Sequence, residues 1–490
     1  MILGMNEKTK ILMVTAVWGD WHINAHLTTN LPTLMSPKNL PALAHRCDLT
    51  YRVYTHRHDV ARLMMSPIMQ ELSSMALVEV ETLAEEKLKN PIATHQWAWE
   101  QTISDAEKSG RYVLLMPPDV GWAEGSFAHV ADLLEAGKKA IFMTYLRVVS
   151  DTFVPALHER RDGSTGAITV SGGDMMALAL RHLHPLMAAY CHDSPYFPGH
   201  AEMVLWPVRH EGLLVRVLAR EMFLYDPGHI KLTPQLLMDG NYDPREVVFI
   251  NDSDKLFAVS LASIGKDAVW HTEYRKPTPL NLARWWLKYD SPSNDFIAGT
   301  HIRWHMGMLT AKSWRRQELR SDCLIRDTIA AREGMRIWQK FNAMGCHSAA
   351  SILAVATGMD LLAKAFRNPS PAVIFVPSDK ALKRLSEETI QNLATSGNVH
   401  HLLTFLRHHV AFETESRLSA IDRMCSGSYL ELVTASGRQV MLEQSGERLT
   451  VAGVDIMGTG HRAGRYLIYQ INGILDPAMA EMTQTEHARI

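Results

Sequence analysis

Cysteine is scarce in this sequence, and its spacing suits neither a metal site nor a disulfide framework. The five cysteines among 490 residues are scattered and form no Cys-x-x-Cys pair: Cys47, Cys191, Cys323, Cys346 and Cys425. An odd number without such spacing excludes a disulfide-stapled scaffold and a zinc knuckle. The pattern is typical of free thiols in a reducing compartment.

Long hydrophobic runs and an excess of charge are also lacking. No stretch approaches the roughly 18–20 apolar residues of a membrane span, and the apolar run at 10–17 is too short for a signal peptide with its cleavage site. The formal net charge of −2 argues against general binding to nucleic acid. We therefore expect a cytoplasmic protein that binds no nucleic acid, with weak peripheral contact with a membrane left open.

A glycine-rich phosphate loop, an internal repeat and a low-complexity tract are missing as well. Without a GxGxxR loop after the first strand, a nucleotidyltransferase is disfavoured. The composition, 47% hydrophobic and 21% charged, is that of a folded globular protein. The length exceeds what one ordinary core supports, so two or more domains are expected.

Over the first 150 residues, short segments typical of strands alternate with segments that have the spacing of apolar residues found in helices. Short apolar or β-branched runs occupy 10–17, 49–55, 75–83, 112–116 and 139–148. Between them, stretches such as 90–110 and 126–139 have helical spacing and capping residues. This alternation predicts an α/β, Rossmann-like fold with a mainly parallel sheet and helices on both faces.

The composition also divides the chain along its length. We predict an α/β domain over 1–305, a charged helical connector over 306–345, a second domain over 346–480 and a tail over 481–490. Irregular loops rich in proline and glycine follow residue 150 in the first domain. Long loops around a compact α/β core are usually where substrates bind.

One acid stands directly behind a buried strand. In "VLLMPPDVGWAEGS" (113–126), Asp119 follows four apolar residues and two prolines, which stiffen the backbone. Because open α/β sheets bind ligands at the carboxyl ends of their strands, Asp119 is a candidate ligand for Mg²⁺ or Mn²⁺. Such an ion can neutralise a diphosphate leaving group. The alternative is an acid that only caps a turn before Gly121.

A second acidic pair offers a rival metal site. "NDSD" (251–254) spells Asp-x-Asp after a strand-like run. Turn and helix-capping chemistry before the next apolar run is the alternative explanation. Glu124 could assist Asp119, or it is an acid favoured by the dipole at a helix start.

The order of elements up to residue 150 resembles that of GT-A-type nucleotide-sugar glycosyltransferases. "TAVWGD" (15–20) and "YTHRHD" (54–59) stand where that family has nucleotide-contacting loops, and Asp119 stands at its Asp-x-Asp acid. Pro117 replaces the first acid of that motif. Further segments are similar to bacterial GT-A-like enzymes: "YLRVVSDTFVPALHE", "ALRHLHP", "HAEMVLWPVRHEGLL", "FINDSDKLFAVSL" and "HIRWH".

The resemblance implies a glycosyltransferase that moves a sugar from a nucleotide diphosphate-sugar donor to an acceptor. The acceptor, whether a glycan, a lipid, a small molecule or a protein, would enter from the loops at 170–230 and from the side of the C-terminal domain. The resemblance implies a metal ion, Mn²⁺ or Mg²⁺, held by Asp119 with His229 as its partner; a loop histidine is the alternative for His229. The donor site that it implies consists of Thr15, Ala16, Trp18, Gly19, Thr55, His95, Asp119 and Arg147.

An inverting transferase also needs a base to deprotonate the acceptor hydroxyl. Three acids in the second half of the first domain are candidates: Glu211 first, then Glu202, then Asp174. For each of them, a solvated loop acid is the alternative. A retaining reaction would need no such base.

Three segments near the C-terminus resemble a fasciclin-like domain. They are "PAVIFVPSDKALKRLSEETIQNL" (371–393), "LLTFLRHHVA" (402–411) and "GRYLIYQINGILDP" (464–477). The alternating residues between the last two predict hairpin strands. The resemblance implies a module that binds the acceptor or a partner protein, and a bracing role is the alternative. If the Asp119 site is degenerate, the chain would be a non-catalytic binding protein that acts through this module.

Overall fold

The structure is a computed structural model that describes residues 8–220, 222–233, 237–239, 242–264, 276–289, 291–307, 309–358, 370–394, 399–463 and 465–476. The chain divides into two units. The first comprises residues 1–277 and 288–322, and the second comprises 278–287 and 323–490. The predicted tail at 481–490 lies outside the described residues. No helix among the described residues is long and apolar enough to cross a membrane.

The strands of the described residues are β1 (Thr9–Ala16), β2 (Cys47–His56), β3 (Leu77–Leu83), β4 (Tyr112–Leu115), β5 (Val120–Trp122), β6 (Ala140–Phe142), β7 (Leu146–Val149), β8 (Met203–Val208), β9 (Gly212–Val217), β10 (Leu224–Tyr225), β11 (Lys231–Leu232), β12 (Met238–Asp239), β13 (Val247–Phe249), β14 (Ala258–Ala262), β15 (Ile302–His305), β16 (Ala372–Pro377), β17 (Val410–Phe412), β18 (Tyr429–Val433), β19 (Gln439–Ser445), β20 (Arg448–Val451), β21 (Val454–Ala463) and β22 (Tyr466–Ile471).

The α-helices are α1 (Asp20–Ala25), α2 (Leu31–Leu34), α3 (Leu40–Arg46), α4 (Val60–Met64), α5 (Pro67–Ser73), α6 (Glu85–Leu88), α7 (Pro91–Ser109), α8 (Ser126–Glu135), α9 (Ser150–His158), α10 (Gly172–Arg181), α11 (Pro185–Ala189), α12 (Pro279–Trp286), α13 (Pro292–Gly299), α14 (Ala311–Ala343), α15 (His347–Gly358), α16 (Asp379–Leu382), α17 (Glu387–Ala394), α18 (Val399–His408) and α19 (Glu415–Ile421). A π-helical turn follows α1 at His26–Asn30.

The central sheet of the first unit has seven strands in the order β13-β6-β10-β4-β1-β2-β3. Only β10 runs against its neighbours β4 and β6; the other pairs are parallel. The predicted α/β class with a mainly parallel sheet is confirmed. The chain leaves β1 towards β3 and returns to β4 on the other side of β1. Ligands of open α/β sheets bind at the carboxyl ends of the strands where the order reverses in this way.

The unbroken apolar run of β1 explains why it lies at the centre of that sheet. Ile11, Leu12, Met13 and Val14 are all fully buried, so neighbouring residues on opposite faces of the strand are both covered. A strand that is buried on both faces reads as a continuous apolar run and not as an alternation. The run therefore fixes β1 as an interior strand of a covered sheet.

A small sheet, β5-β14-β7, connects Asp119 to Arg147. Ser260 on β14 lies opposite Val120 on one side and opposite Arg147 on the other. The Leu261 N–H donates a hydrogen bond to the Asp119 carbonyl oxygen at 2.8 Å. The acid behind β4 and the arginine of β7 are thus held by the same strand.

The second unit is built on a seven-stranded sheet in the order β17-β16-β22-β21-β20-β19-β18. β16 and β22 are parallel, and the remaining neighbours are antiparallel. Val373 and Phe375 are buried in one hydrophobic cluster, whereas Ile374 and Val376 are buried in another. Both faces of β16 are therefore covered.

Gly212 occupies a position that no other residue can take without a shift in the backbone. Its φ is 150°, and a Cβ atom there would stand 1.9 Å from the Trp304 carbonyl oxygen on β15. We expect Gly212→Ala to lower the free energy of unfolding of the first unit by about 2–3 kcal/mol. Urea unfolding followed by near-ultraviolet circular dichroism measures this loss.

The matched control for that prediction is Gly299→Ala. Nothing lies within 4 Å of a Cβ atom at Gly299, which ends α13. The control should unfold within about 0.5 kcal/mol of the original chain. Equal stabilities of the Gly212 and Gly299 variants would contradict the close approach of β9 and β15.

Candidate functional site

Buried hydroxyl groups without hydrogen-bond partners lie at the carboxyl edge of the central sheet. Thr15 is near the end of β1, Thr55 is near the end of β2, and Thr144 follows β6. All three are buried, and their Oγ1 atoms have no partner among the described residues. Because an unsatisfied buried hydroxyl is costly, these groups favour a polar ligand or water at this edge.

Asp119 lies at the same edge, partly buried between β4 and β5. Burial raises the pKa of its carboxyl group, while the nearby charges of His22 and Arg147 act to lower it. Asp119 and the strand that bears Arg147 are both hydrogen-bonded or paired to β14. A carboxylate that has lost part of its water shell gains from a further cation beside it.

Two loops that follow β1 and β2 meet at this edge. Ala16 is buried and lies opposite Tyr54 in the parallel pairing of β1 with β2. Gly19, with φ of 79°, donates its N–H to Asp59 Oδ2 at 3.0 Å. This hydrogen bond joins the segment at 15–20 to the segment at 54–59.

Aromatic rings border the same loops. The Trp18 and His95 rings have their centroids 5.0 Å apart, and Trp99 lies 6.3 Å from His95. Burial, followed by the charge of His22, lowers the pKa of His95 to about 4. His95 is therefore neutral at pH 7, and its ring acts there as an aromatic surface and not as a cation.

Glu202 has a charged environment that also includes Arg147. Burial acts to raise the pKa of Glu202, but the hydrogen bond from His200 and the charges of Arg220 and Arg147 outweigh it, so the pKa is lowered. His200 Nε2 lies 3.7 Å from Glu202 Oε2. The charge of Arg147 is the smallest of the contributions that act to lower the pKa of Asp119 and of Glu202.

Glu211 has a different environment. Its Oε2 accepts hydrogen bonds from the Thr310 N–H at 2.6 Å and from Trp314 Nε1 at 2.9 Å. These donors, the Thr310 N–H first, lower the pKa of Glu211. The carboxylate is hydrogen-bonded to the start of α14, and these contacts favour a structural role over that of a catalytic base.

Asp174 is exposed at the start of α10. Its Oδ2 accepts a hydrogen bond from Ser171 Oγ at 2.7 Å, and its own N–H donates to the same hydroxyl at 3.2 Å. Ser171 is the N-cap of the helix, and Asp174 completes the cap. These contacts give Asp174 a local role in capping the N-terminus of α10.

His229 lies at the other edge of the central sheet. Because β10 is antiparallel, Tyr225 is opposite Val113 near the beginning of β4, whereas Asp119 follows the end of β4. His229 Nδ1 lies 2.8 Å from Asp226 Oδ2 at that opposite edge. The structure does not bring His229 to Asp119, and the two cannot bind one metal ion together.

Asp252, Asp254 and His305 form the arrangement closest to a metal site in the described part of the chain. Their potential ligand atoms all lie within 4.8 Å of one another. His305 is buried, with Nε2 3.0 Å from Asp252 Oδ1, and the Gly307 N–H donates to Nδ1 at 3.2 Å. That donor leaves the ring proton on Nε2, pointing at Asp252. An ion on Nε2 would move the proton to Nδ1, against Gly307, so the contacts favour a histidine–aspartate hydrogen bond.

Sequence reasoning missed three residues of the carboxyl edge: His22, His200 and Arg220. His22 follows "WGDW" just beyond β1, a position from which it could have been predicted. Arg220 donates from Nε to the Met143 carbonyl oxygen at 3.3 Å, and its guanidinium lies 5.1 Å from the Tyr145 ring centroid. Nothing local in the sequence indicates these long-range contacts.

The stability of the first unit should depend on pH because of two buried histidines. Burial lowers the pKa of His26 and of His95 from 6.5 to about 4. Between pH 6.5 and 4 the unfolded chain binds more protons than the folded chain, so stability should fall as the pH falls through this window. The slope is at most about 1.4 kcal/mol per pH unit for each histidine.

Urea midpoints of the first unit at pH 7, 6 and 5 measure this dependence. His95→Gln should give a shallower slope, because one of the two groups no longer titrates. A midpoint that stays constant over this range would contradict the low pKa of these histidines.

The comparisons with known proteins give one clear match. No curated protein matches the chain. A solved structure assigned as a glucose-1-phosphate thymidylyltransferase from Bacillus anthracis, in complex with sucrose, is 14% identical with a TM-score of 0.19. That match covers 29% of this chain and 57% of the other chain, little more than half of its length. A likeness at this level carries no argument about function.

A family match exists for part of the second unit. The fasciclin domain model matches residues 348–477. The match includes all three segments that resemble this family, and it includes the sheet in which the first and last of them pair as β16 and β22. The prediction of a fasciclin-like domain is therefore confirmed: residues 348–477 are a fasciclin domain.

Proposed function

We propose that the first unit transfers a sugar from a nucleotide diphosphate-sugar to an acceptor hydroxyl. The observation that carries the proposal is the position of Asp119 behind β4 at the carboxyl edge of the central sheet, where β14 joins it to the strand that bears Arg147. Asp119 follows β4, which pairs with β1 where the strand order of the central sheet reverses, and such a position is the usual ligand site of these sheets. A phosphate-binding side and a base side would then adjoin one another.

The donor would bind over the ends of β1, β2 and β4. Arg147 and Arg220 would stabilise the negative charge that develops on the departing diphosphate. The neutral His95 ring and Trp18 offer an aromatic surface for a nucleobase. The buried hydroxyl groups of Thr15 and Thr55 would donate hydrogen bonds to oxygen atoms of the same ligand.

The site offers a divalent ion one carboxylate ligand from the predicted set. Pro117 removes one acid and His229 lies elsewhere, so Asp119 would be the one carboxylate ligand from the predicted set. Mg²⁺ is often bound by one or two carboxylates together with substrate phosphates, and Asp119 meets this requirement. When bound, Mg²⁺ or Mn²⁺ would supply Lewis-acid neutralisation of the diphosphate.

Glu202 replaces Glu211 as our first candidate for the base. The lowered pKa keeps Glu202 ionised at neutral pH, as a base requires. Its carboxylate would take the proton of the acceptor hydroxyl while the hydroxyl oxygen bonds to the anomeric carbon. The bond between that carbon and the diphosphate oxygen breaks, and the diphosphate leaves with the electron pair.

A donor screen tests the proposal. The full chain is incubated with UDP-, GDP- and dTDP-sugars, with Mn²⁺ or with a chelator, and the release of nucleoside diphosphate is measured. We expect slow hydrolysis of at least one donor, because water can take the place of the acceptor. Complete inertness towards every donor, together with no binding of any nucleoside diphosphate, would contradict it.

A non-catalytic binding protein is the second candidate. The proline at 117, in place of an acid, is the observation that favours it. In that case nucleotides would bind without turnover or not at all, and the fasciclin domain would carry the function. Binding of nucleoside diphosphates with no turnover of any donor, with or without added glycosides, would favour this candidate.

A further inference from the structure

A cleft of about 240 Å³ opens beside α1. Its lining includes an aromatic ring, an amide, a hydroxyl, a carboxylate and apolar side chains: Trp21, Asn24, Ser150, Asp151, Pro155 and Leu261. Small-molecule sites usually span roughly 300–1,000 Å³. A cleft below that range suits a ligand of about one sugar ring.

The chemistry of the lining is that of a carbohydrate site. The Trp21 side chain is 41% exposed, an unusual state for a large aromatic ring, and its edge-to-face contact with His22 holds it at a centroid distance of 4.7 Å. An exposed flat apolar face suits the C–H face of a pyranose ring. Asp151 and Asn24 are exposed and supply hydrogen-bond acceptors, and Asn24 also supplies donors, for the ring hydroxyls.

Two contacts hold the polar side of the cleft in place. Ser150, at the start of α9, is buried and donates from Oγ to Asp151 Oδ1 at 3.2 Å. Thr28 donates from Oγ1 to the Asn24 carbonyl oxygen at 2.8 Å, which fixes the last turn of α1. Carbohydrate recognition needs polar groups of this kind in fixed positions beside the aromatic face.

The cleft adjoins the proposed donor site. Leu261 lines the cleft, and its N–H donates to the Asp119 carbonyl oxygen at 2.8 Å. β7 leads directly from Arg147 to Ser150 and Asp151. A sugar in the cleft would thus lie next to the edge at which the donor phosphates are proposed to bind.

We propose that this cleft binds a carbohydrate and that the acceptor is therefore a sugar or a glycan. The binding of a sugar stands on the cleft itself, whereas its role as the acceptor rests on the proposed transferase function. The alternative is that the sugar of the nucleotide-sugar donor, and not an acceptor, occupies the cleft. The two occupants can be distinguished by experiment.

Saturation-transfer NMR on the full chain tests the binding. The probes are the methyl glycosides of glucose, galactose, mannose and N-acetylglucosamine. We expect at least one of them to bind, Trp21→Ala to weaken its binding at least tenfold, and Asp151→Asn to weaken it several-fold. Trp338→Ala is the matched control, because Trp338 is 40% exposed and belongs to the second unit. It should bind as the original chain does.

The outcomes separate this inference from the proposed function. No binding of any glycoside, or equal binding by the Trp21 variant, overturns the carbohydrate site. Should Trp21→Ala fail to fold, Trp21→Phe and Asp151→Asn give the same comparison. Glycoside binding with neither donor turnover nor nucleoside diphosphate binding keeps the carbohydrate site and rejects the transferase. A loss of nucleotide-sugar binding in Trp21→Ala, with nucleoside diphosphate binding unchanged, assigns the cleft to the donor sugar and overturns its role as the acceptor site.

Discussion

Glu202→Gln should lower the turnover of the donor by a factor of about 10²–10⁴, with KM for the donor little changed. The amide keeps the size of the side chain but cannot accept the proton of the acceptor hydroxyl, and general-base catalysis contributes a factor of this order. Arg147 and Arg220, which act on Glu202, remain in place to bind the donor. Steady-state kinetics with the donor found by screening measures both quantities.

Glu211→Gln is the matched control for this prediction. It removes the negative charge that accepts the Thr310 N–H and the Trp314 indole N–H, so we expect a loss of stability of about 1–3 kcal/mol. The folded fraction should retain its turnover. A larger loss of turnover in folded Glu211→Gln than in Glu202→Gln would contradict the assignment of the base.

Asp119→Asn should weaken the metal-dependent binding of nucleoside diphosphates and lower turnover by a factor of about 10²–10³. The factor is that of removing one electrostatic partner of a leaving group. Without added metal, the two chains should bind nucleotides with similar affinity. Because burial raises the pKa of Asp119 and metal ligands must be deprotonated, the original chain should also lose metal-dependent affinity as the pH falls.

Calorimetric titration with UDP, GDP and dTDP, with Mn²⁺ and with a chelator, measures the effect. Asp174→Asn is the control, since Asp174 is exposed and only caps α10. Equal metal-dependent affinity of the Asp119 and Asp174 variants would show that the ion binds elsewhere. The cluster of Asp252, Asp254 and His305 would then be the next candidate.

The part of the fold that the sequence predicts well is the part that local pattern controls. The apolar runs of β1 and β4 are buried on both faces. Such a run predicts an interior strand from the sequence alone, without information on the strands beside it. Asp119 follows from the same pattern, because a polar residue after such a run stands at a strand end. The fasciclin domain was predicted on a different ground, the resemblance of three segments to that family, and the first and last of them are the paired strands β16 and β22.

The direction of a short strand within a sheet cannot be predicted from its own residues. β10 has two residues, and nothing in "MFLY" shows that it runs against β4. That reversal carries His229 to the opposite edge of the sheet, away from Asp119. The pairing depends on contacts between residues more than 100 positions apart, which periodicity does not report.

The roles of the acids were hidden for a similar reason. Glu211 and Glu202 are both loop acids by sequence, yet Glu211 is bound by the start of α14, whereas Glu202 lies beside His200 and within the influence of Arg220 and Arg147. The partners that bind Glu211, Thr310 and Trp314, lie about 100 residues away along the chain. His22, by contrast, stands directly beyond β1, and attention to strand ends alone could have found it.

The most direct test of the donor site is a crystal structure of the chain soaked with UDP, GDP or dTDP and Mn²⁺. We predict density for the diphosphate over the carboxyl ends of β1 and β4, with the Asp119 carboxylate and the Arg147 guanidinium in contact with it. Nucleotide bound at any other surface, with that edge of the sheet filled by water alone, would contradict the proposed transferase site.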